Sequence, residues 1–269
     1  MKYKMIVLDM DDTLLLGDNT IGSHTKNALM KAQEMGVKVV LASGRPVKGM
    51  KKYAEELQLD HFGSYIMSYN GAKIINCRTK EELFSSMLQP KTVHHLYELS
   101  KRENVWLHTF IDDRIITEEN NKYTSIESEL NNLPIEEVNN LVETITIPVV
   151  KVLMCEHPDK LVVVEEKLKK ELGDELSIFR SKPYFLEFIE HGVTKGSSLA
   201  KLLKETGMSP QEVIAVGDSY NDATMIELAG LGVAMGNAPD DIKQKADYVT
   251  DTFENEGVAT VIEEFLLKK

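Results

Sequence analysis

The sequence contains few cysteines and no long apolar run. Its two cysteines, Cys77 and Cys155, lie far apart and lack metal-ligand spacing, so we expect reduced, unreactive thiols and a cytoplasmic location. No apolar run approaches the roughly 18 residues that a membrane helix needs. The first residues, MKYKMIVLDM, do not have the pattern of a signal peptide. These absences predict a soluble protein that does not enter a membrane.

Basic residues are scarce relative to acidic ones. Lys and Arg total 31 against 43 Asp and Glu, which gives a formal net charge of -12. Nucleic acids and anionic membranes are bound by basic surfaces, so neither is an expected partner. A small anionic substrate would need a locally positive site, built from a metal ion, a lysine or helix N-termini. With 42% hydrophobic and 28% charged residues, the 269-residue chain is typical of one large or two modest globular domains.

Strand and helix patterns alternate in the first part of the chain. A near-continuous apolar run at 3–9 predicts a buried strand, and apolar spacing at 24–35 predicts a helix with Ser23 as a possible N-cap. A strand at 37–42, a helix opened by Pro46 and a strand at 64–68 follow. This order predicts a parallel sheet with right-handed crossovers.

The same alternation returns near the C-terminus, with predicted strands at 213–216, 231–235 and 248–250 between helices. The intervening segment is richer in Glu, Asn and Lys. We therefore predict an α/β fold with a Rossmann-like parallel sheet core flanked by helices and an inserted α+β cap domain. The core domain would comprise residues 1–83 and 188–269, and the inserted domain residues 84–187.

Four short motifs lie at predicted strand ends or helix starts, where open parallel sheets bind ligands. They are DMDDT at 9–13, SGRP at 43–46, KGS at 195–197 and GDSYND at 217–222. Taken singly, each has a plain reading: an acidic turn, a loop, a solvated lysine, a turn with a helix cap. Taken together, two acidic clusters, a hydroxyl and a lysine indicate a metal-assisted phosphoryl-transfer site, since Mg²⁺ prefers oxygen ligands and binds alongside phosphate.

With these motifs the chain resembles the haloacid dehalogenase-like phosphatases, in particular the Cof-type sugar-phosphatase group. The family pattern Asp-x-Asp-x-Thr matches residues 9–13, its Ser/Thr motif matches Ser43 in LASGRP, and its lysine matches Lys195 in GVTKGSSL. Its Gly-Asp-x-x-Asn-Asp matches residues 217–222. The stretches SYNGA and FLEFIEHGVTKG are also similar to that group, so the resemblance covers essentially the whole chain. One position differs: the family usually has Gly where this chain has Asp12, whose added charge must point away from the nucleophile.

The resemblance implies that Asp9 is a nucleophile forming an aspartyl-phosphate and that Asp11 is the general acid and base. The implied ligands of Mg²⁺ are Asp9, the Asp11 carbonyl oxygen, Asp218 and Asp222. The implied phosphate-binding residues are Met10, Ser43, Gly44, Lys195 and Asn221. The substrate would be a small phosphorylated metabolite, with a sugar phosphate first among the candidates, and the inserted domain would close over the site. Arg45 is interpreted as a salt-bridge partner on the helix surface rather than as a phosphate ligand.

Two alternatives remain open at this level. A phosphomutase of the same superfamily shares the motifs but returns the phosphoryl group to its sugar. A signalling receiver module also carries a phosphorylated aspartate, an acidic pair, a hydroxyl and a lysine on a parallel sheet. Such modules are about half this length and need no acid two residues after the nucleophile. Release of inorganic phosphate with turnover distinguishes the phosphatase from both.

Overall fold

The computed structural model describes residues 2–268. The strands are β1 Met5–Leu8, β2 Lys38–Ala42, β3 Tyr65–Ser68, β4 Lys73–Asn76, β5 Glu82–Ser85, β6 Trp106–Ile111, β7 Arg114–Thr117, β8 Ile135–Glu137, β9 Val152–Cys155, β10 Leu176–Lys182, β11 Phe185–Glu190, β12 Val213–Gly217, β13 Leu231–Ala234 and β14 Tyr248–Val249. The helices are α1 Ser23–Glu34, α2 Val47–Glu56, α3 Leu59–Phe62, α4 Pro90–Glu103, α5 Lys122–Asn131, α6 Leu141–Thr144, α7 Pro158–Leu172, α8 Lys195–Thr206, α9 Ala223–Leu228, α10 Asp240–Lys243 and α11 Gly257–Ile262. Within these described residues, no helix combines the length and the apolar character that a membrane span requires.

The chain divides into two compact units. The larger consists of Met1–Phe84 and Thr194–Lys269, and the smaller of Ser85–Val193. The boundary expected between residues 187 and 188 falls inside β11, which pairs with β9 and β10 in the smaller unit. That boundary therefore lies six residues later, because a strand paired on both sides cannot be divided between units.

The larger unit is built on an eight-stranded sheet with the order β14-β13-β12-β1-β2-β3-β4-β5. From β14 to β3 all neighbouring strands are parallel, whereas β3 and β4 are antiparallel. β1 lies between β2 and β12, so strands from both ends of the chain meet at the centre of the sheet. The predicted parallel α/β core is confirmed, and the sheet also has an antiparallel extension at one edge that was not predicted.

Helices cover both faces of this sheet, which is why its central strands are apolar throughout. All four residues of β1 are buried. Ile6 and Leu8 belong to a cluster with residues of α1, α2 and α11, whereas Met5 and Val7 pack with residues of α8 and α9. Side chains alternate between the two faces of a strand, so a doubly covered strand needs apolar residues at every position.

Helix α1 begins one residue earlier than predicted, and its capping is supplied from elsewhere in the chain. Gly22, not Ser23, is the N-cap and provides no side-chain bond. Instead the Thr25 backbone N–H donates to Glu256 Oε2 at 2.6 Å. A Cβ on Gly22 would lie 2.2 Å from that oxygen, so the absence of a side chain lets the carboxylate reach the helix N-terminus, where negative charge is favourable.

The smaller unit has a six-stranded sheet with the order β10-β11-β9-β6-β7-β8, antiparallel except for β7 with β8. One face carries Leu107, Met154 and Phe188, which pack with apolar residues of α4 and α7. Polar groups are buried as well: His108 Nδ1 lies 3.2 Å from the Thr124 hydroxyl of α5. The unit is thus an α+β layer structure with a mixed apolar and polar interior.

Candidate active site

The first acidic motif lies in a sharp turn at the end of β1. The Asp9 N–H donates to the Val216 carbonyl at 3.0 Å, which extends the pairing of β1 with β12 by one residue. The helical turn Met10–Leu14 follows, interrupted by extended φ/ψ angles at Asp11 and left-handed angles at Asp12 (φ 57°). Asp9 is buried, Asp11 half-buried and Asp12 exposed. The chain therefore bends sharply within the three residues that follow Asp9.

The left-handed backbone at Asp12 explains the departure from the family pattern noted above. Glycine adopts positive φ without penalty, and aspartate tolerates it better than most other residues. The Asp12 carbonyl is held by the Asn237 side-chain amide at 2.9 Å. The backbone shape that the family obtains with glycine is kept here by a residue whose carboxylate points to solvent.

Three carboxylates converge at the carboxyl ends of β1 and β12. One oxygen each from Asp9, Asp218 and Asp222 lies within 4.8 Å of the others. Asp218 Oδ1 accepts a hydrogen bond from the Thr13 hydroxyl at 3.0 Å. Asp222 Oδ2 accepts from the backbone N–H groups of Asp218 and Ser219 at 3.1 and 3.0 Å. These bonds fix two of the three acids in position before any ligand binds.

Lys195 lies within this acidic cluster and is fully buried. Its Nζ donates to Asp9 Oδ1 at 2.5 Å and to Asp222 Oδ1 at 2.6 Å. The lysine opens α8, and Thr194 and Ser197 form a reciprocal capping box around it. A Cβ on Gly196 would lie 2.4 Å from the Thr224 carbonyl oxygen, so glycine permits α8 to approach α9 closely. Local capping and close helix packing together hold the ammonium group in place.

The electrostatics of the cluster show an excess of negative charge. Burial and the neighbouring Asp222 raise the pKa of Asp9 well above its ordinary value, and the same two causes raise the pKa of Asp218 to about 7. Burial alone would lower the pKa of Lys195, but Asp222 and Asp9 outweigh it and the pKa is raised. One lysine cannot balance three carboxylates. Their oxygen donors and surplus charge fit a hard divalent cation such as Mg²⁺.

The predicted phosphate-binding loop follows β2. The Ser43 N–H donates to the Met67 carbonyl at 2.9 Å, and its hydroxyl accepts from the Arg45 N–H at 3.2 Å. Gly44 comes next, and α2 begins at Val47 with Pro46 as its N-cap. Backbone N–H groups at the start of this ten-residue helix give the loop the character of an anion site.

The remaining predicted residues also lie in the larger unit. Asn221 is half-buried, and its Nδ2 donates to Asn70 Oδ1 at 3.0 Å. Met10 is fully buried, and its side chain belongs to the apolar core. Asn70 is not among the predicted site residues, although Asn70 and Gly71 form an Asn-Gly pair, which is a recognisable turn signal, two residues after the end of β3.

Arg45 differs from its expected role on the helix surface. Its Nε and Nη2 donate to the two carboxylate oxygens of Asp11 at 3.0 and 2.5 Å, and Nη2 also donates to Asn19 Oδ1 at 3.0 Å. The Arg45 side chain is only 10% exposed. It is thus an ion-pair partner, as expected, but of a predicted catalytic acid. The two residues are 34 positions apart, so no local pattern indicates the pair.

Comparisons with known proteins show the family of the chain. The sequence pattern of the haloacid dehalogenase-like hydrolases matches residues 6–262. YxeH of Bacillus subtilis (strain 168) is 34% identical over 99% of this chain and all of its own length. The 5-amino-6-(5-phospho-D-ribitylamino)uracil phosphatase YcsE of the same organism is 32% identical over 98% of this chain and 96% of its own.

Solved structures give the same result. A haloacid dehalogenase-like hydrolase from Bacteroides thetaiotaomicron superposes with a TM-score of 0.92 at 43% identity, covering 98% of this chain and all of that one. The subclass IIB sugar phosphatase BT4131, at 24% identity, shares the fold with a TM-score of 0.82 over 97% of this chain and 98% of its own. Neither the phosphomutase nor the signalling module is supported by these matches. The chain belongs to the haloacid dehalogenase-like hydrolases, as a Cof-type member, and is a phosphoric monoester hydrolase.

Proposed function

We propose that the protein is a Mg²⁺-dependent phosphatase that hydrolyses a small phosphate ester, with sugar phosphates as the preferred class, through an aspartyl-phosphate. The observation that carries this proposal is the convergence of Asp9, Asp218 and Asp222 around the buried Lys195. The sugar class is supported by YcsE, whose named substrate carries its phosphate on a ribityl chain.

In the first half-reaction an oxygen of Asp9 attacks phosphorus, and the bond between phosphorus and the ester oxygen breaks. Asp11 donates a proton to the departing alkoxide. Ser43, Gly44, Asn221, Lys195 and the Met10 backbone would hold the phosphoryl oxygens, whose negative charge spreads in the loose transition state. Asp9, the Asp11 carbonyl oxygen, Asp218 and Asp222 would hold Mg²⁺, whose positive charge would offset the repulsion between the nucleophile and the phosphate.

In the second half-reaction Asp11 accepts a proton from water as the water oxygen attacks phosphorus. The bond between phosphorus and Asp9 breaks, inorganic phosphate leaves, and both carboxylates return to their initial state. The bidentate pair with Arg45 fixes the orientation of the Asp11 side chain. In the pair with Arg45 the Asp11 side chain is a carboxylate, so it must separate from Arg45 and take up a proton from solvent before it can protonate the alkoxide. It returns a proton to solvent when the pair re-forms after the second half-reaction. We propose that this pair opens and closes once in each turnover.

The roles of the two aspartates are tested by Asp9→Asn and Asp11→Asn. We expect Asp9→Asn to form no covalent phosphoenzyme. Asp11→Asn should slow turnover of a sugar phosphate by about 100- to 10,000-fold. The loss should be smaller for an aryl phosphate, whose leaving group needs no proton. Labelling of the peptide containing residue 9 in the Asp9→Asn enzyme would refute the assignment.

The metal requirement is tested by following free phosphate after treatment with EDTA. Turnover should stop when divalent ions are removed and return when Mg²⁺ is added. A screen of phosphorylated sugars and other small esters, read in the same way, ranks the substrates. Full activity after rigorous metal removal would contradict the proposed cofactor. Transfer of the phosphoryl group to another position of the same sugar, without release of free phosphate, would contradict hydrolysis.

A further inference from the structure

The turn after β3 has an unusual backbone. Tyr69, Asn70 and Gly71 have φ values of 53°, 56° and 98°, so three consecutive residues occupy the left-handed region. Glycine accepts this conformation and asparagine tolerates it, but for a bulky residue such as tyrosine it is a genuine outlier. Strained backbone of this kind persists only where surrounding contacts determine it, and it is concentrated at functional sites.

Contacts from this turn reach the phosphate loop after β2. The Asn70 N–H donates to the Ser43 carbonyl at 2.9 Å, and the Tyr69 N–H donates to the Arg45 carbonyl at 3.1 Å. A Cβ on Gly44 would lie 3.0 Å from Asn70 Nδ2, so the amide packs directly against that glycine. Two backbone hydrogen bonds and one side-chain contact thus fix the loop from residue 43 to residue 45.

The same turn reaches the two site elements from the C-terminal part of the chain. Asn70 Oδ1 accepts from Asn221 Nδ2, across 151 residues of sequence. The Gly71 carbonyl accepts from the Ser198 hydroxyl at 2.7 Å. A Cβ on Gly71 would lie 2.7 Å from the Thr194 carbonyl, so the first turn of α8, which carries Lys195, is seated against the glycine. One three-residue turn therefore contacts three of the elements that present the proposed phosphate-binding groups: the loop after β2, the start of α8 and the segment that carries Asn221.

We propose that Asn70 is a positioning residue that aligns Asn221 with the loop from Ser43 to Arg45. This inference rests on the proposed function, because it assigns Asn70 a role through groups that bind the phosphoryl oxygens. Asn70 is only 2% exposed. Its side-chain amide accepts a hydrogen bond from Asn221 and packs against Gly44, and its backbone N–H donates to the Ser43 carbonyl. A movement of Asn221 is therefore coupled to a movement of the loop from Ser43 to Arg45.

The test is Asn70→Gly, which keeps a backbone suited to positive φ and removes only the amide. Asn132→Gly is the matched control, because Asn132 also has positive φ (51°) but is exposed in the smaller unit. With Mg²⁺ and p-nitrophenyl phosphate, we expect Asn70→Gly to lower kcat/KM by about 10- to 100-fold through misplaced phosphate-binding groups. The loss should appear mainly in kcat, since phosphoryl charge is contacted most strongly in the transition state. Asn132→Gly should be unchanged.

A double-mutant cycle with Asn221→Ala separates positioning from general destabilisation. If Asn70 acts through Asn221, Asn70→Gly should lower kcat/KM much less in the Asn221→Ala enzyme than in the wild type. Equal losses in both backgrounds, or no loss in folded Asn70→Gly, would overturn the inference. An Asn221→Ala enzyme with full activity would instead remove Asn221 from the proposed mechanism, and the inference with it. Should Asn70→Gly not fold, Asn70→Asp enters the same cycle under the same criterion.

Discussion

Lys195 in the larger unit and Lys151 in the smaller unit are both almost completely buried, but their surroundings differ. Lys195 donates to Asp9 and Asp222, with Asp218 close by. Lys151 pairs with Glu187 at 3.2 Å, and its Nζ lies 5.3 Å from the centre of the Phe110 ring. The cluster around Lys195 therefore holds three carboxylates for one ammonium group, whereas Lys151 and Glu187 form a one-to-one ion pair.

This difference distinguishes a site that binds a cation from a buried ion pair that serves the fold. A balanced buried pair satisfies its own charge and needs no ligand. A surplus of carboxylates raises their pKa values and leaves the cluster incomplete unless a cation joins it. Burial of a lysine is the same in both places, so burial alone would not have identified the active site.

The largest expected effect is on catalysis. Lys195→Met removes the ammonium group that contacts Asp9 and Asp222, and we expect kcat/KM for phosphate release to fall by about 1,000-fold, the upper range for loss of one charge-stabilising donor. Far-UV circular dichroism should show that the fold is retained. A loss of similar size in a folded Lys151→Met protein would break the comparison between the two lysines.

Lys151→Met should act on stability. It removes the ammonium group that pairs with the buried Glu187 carboxylate, and the loss of one member of a buried ion pair costs about 3–5 kcal/mol. Trp106, the single tryptophan of the chain, lies on β6 of the smaller unit, so its fluorescence during urea unfolding reports on that unit. The double variant Lys151→Met/Glu187→Leu should recover most of the loss. No recovery would show that Lys151 stabilises the unit mainly through other contacts.

Acid should destabilise the smaller unit through His108. Burial, with help from Lys151, lowers the pKa of His108 to about 3 from an ordinary 6.5, so between these values only the unfolded chain binds the proton. Stability is therefore lost as the pH falls below about 6.5, by about 2 kcal/mol at pH 5. Trp106 fluorescence should show that His108→Gln loses less stability than the wild type between pH 7.5 and 5.

The control for this pH effect is His157→Gln, since His157 is exposed at the start of α7. Its loss of stability over the same pH range should equal that of the wild type. An identical loss in His108→Gln would mean that other groups of the smaller unit cause the acid sensitivity.

The smallest effect concerns Asp12, whose charge adds to the negative field at Asp218. Asp12→Gly removes the energetic cost of a left-handed backbone at a residue with a side chain, but it raises the conformational entropy of the unfolded chain. We expect a net increase of about 0.5 kcal/mol in the free energy of unfolding. Lys80→Gly is a matched control with φ 62° in a hairpin. A loss of stability in Asp12→Gly alone would show that the carboxylate makes a stabilising contact.

The sequence could predict the features that depend on local pattern. Apolar runs identify the central strands, and the polar motifs that follow them lie where the strands end, so the acidic cluster at Asp9, Asp218 and Asp222 follows from parallel topology. The motif KGS predicts that Lys195 lies at the start of a helix, and α8 begins at this residue. Its roles and those of the other site residues stay predictions until the variants are measured.

Features that depend on distant loops meeting in space could not be predicted. The pair of Arg45 with Asp11 and the bond from Asn221 to Asn70 join residues 34 and 151 positions apart. No periodicity or residue spacing in the sequence indicates either contact. The predicted domain boundary between residues 187 and 188 is too early, because β11 is as apolar as a strand of the larger sheet. Only its pairing with β9 shows that it belongs to the sheet of the smaller unit.

The central place of β1 also has a consequence for how the protein is made. β1 pairs with β12 in the register Met5↔Val213, so a ribosome synthesises the loop that carries Asp9 about 200 residues before its sheet partner. The whole smaller unit emerges in between, and we expect it to fold before β12 is made, because domains generally fold as units during synthesis. One edge of β1 stays unpaired during that time, and an unpaired edge is prone to association. Asp218 and Asp222 come soon after β12, so we expect nascent chains to acquire phosphatase chemistry only after β12 has been synthesised and has paired with β1.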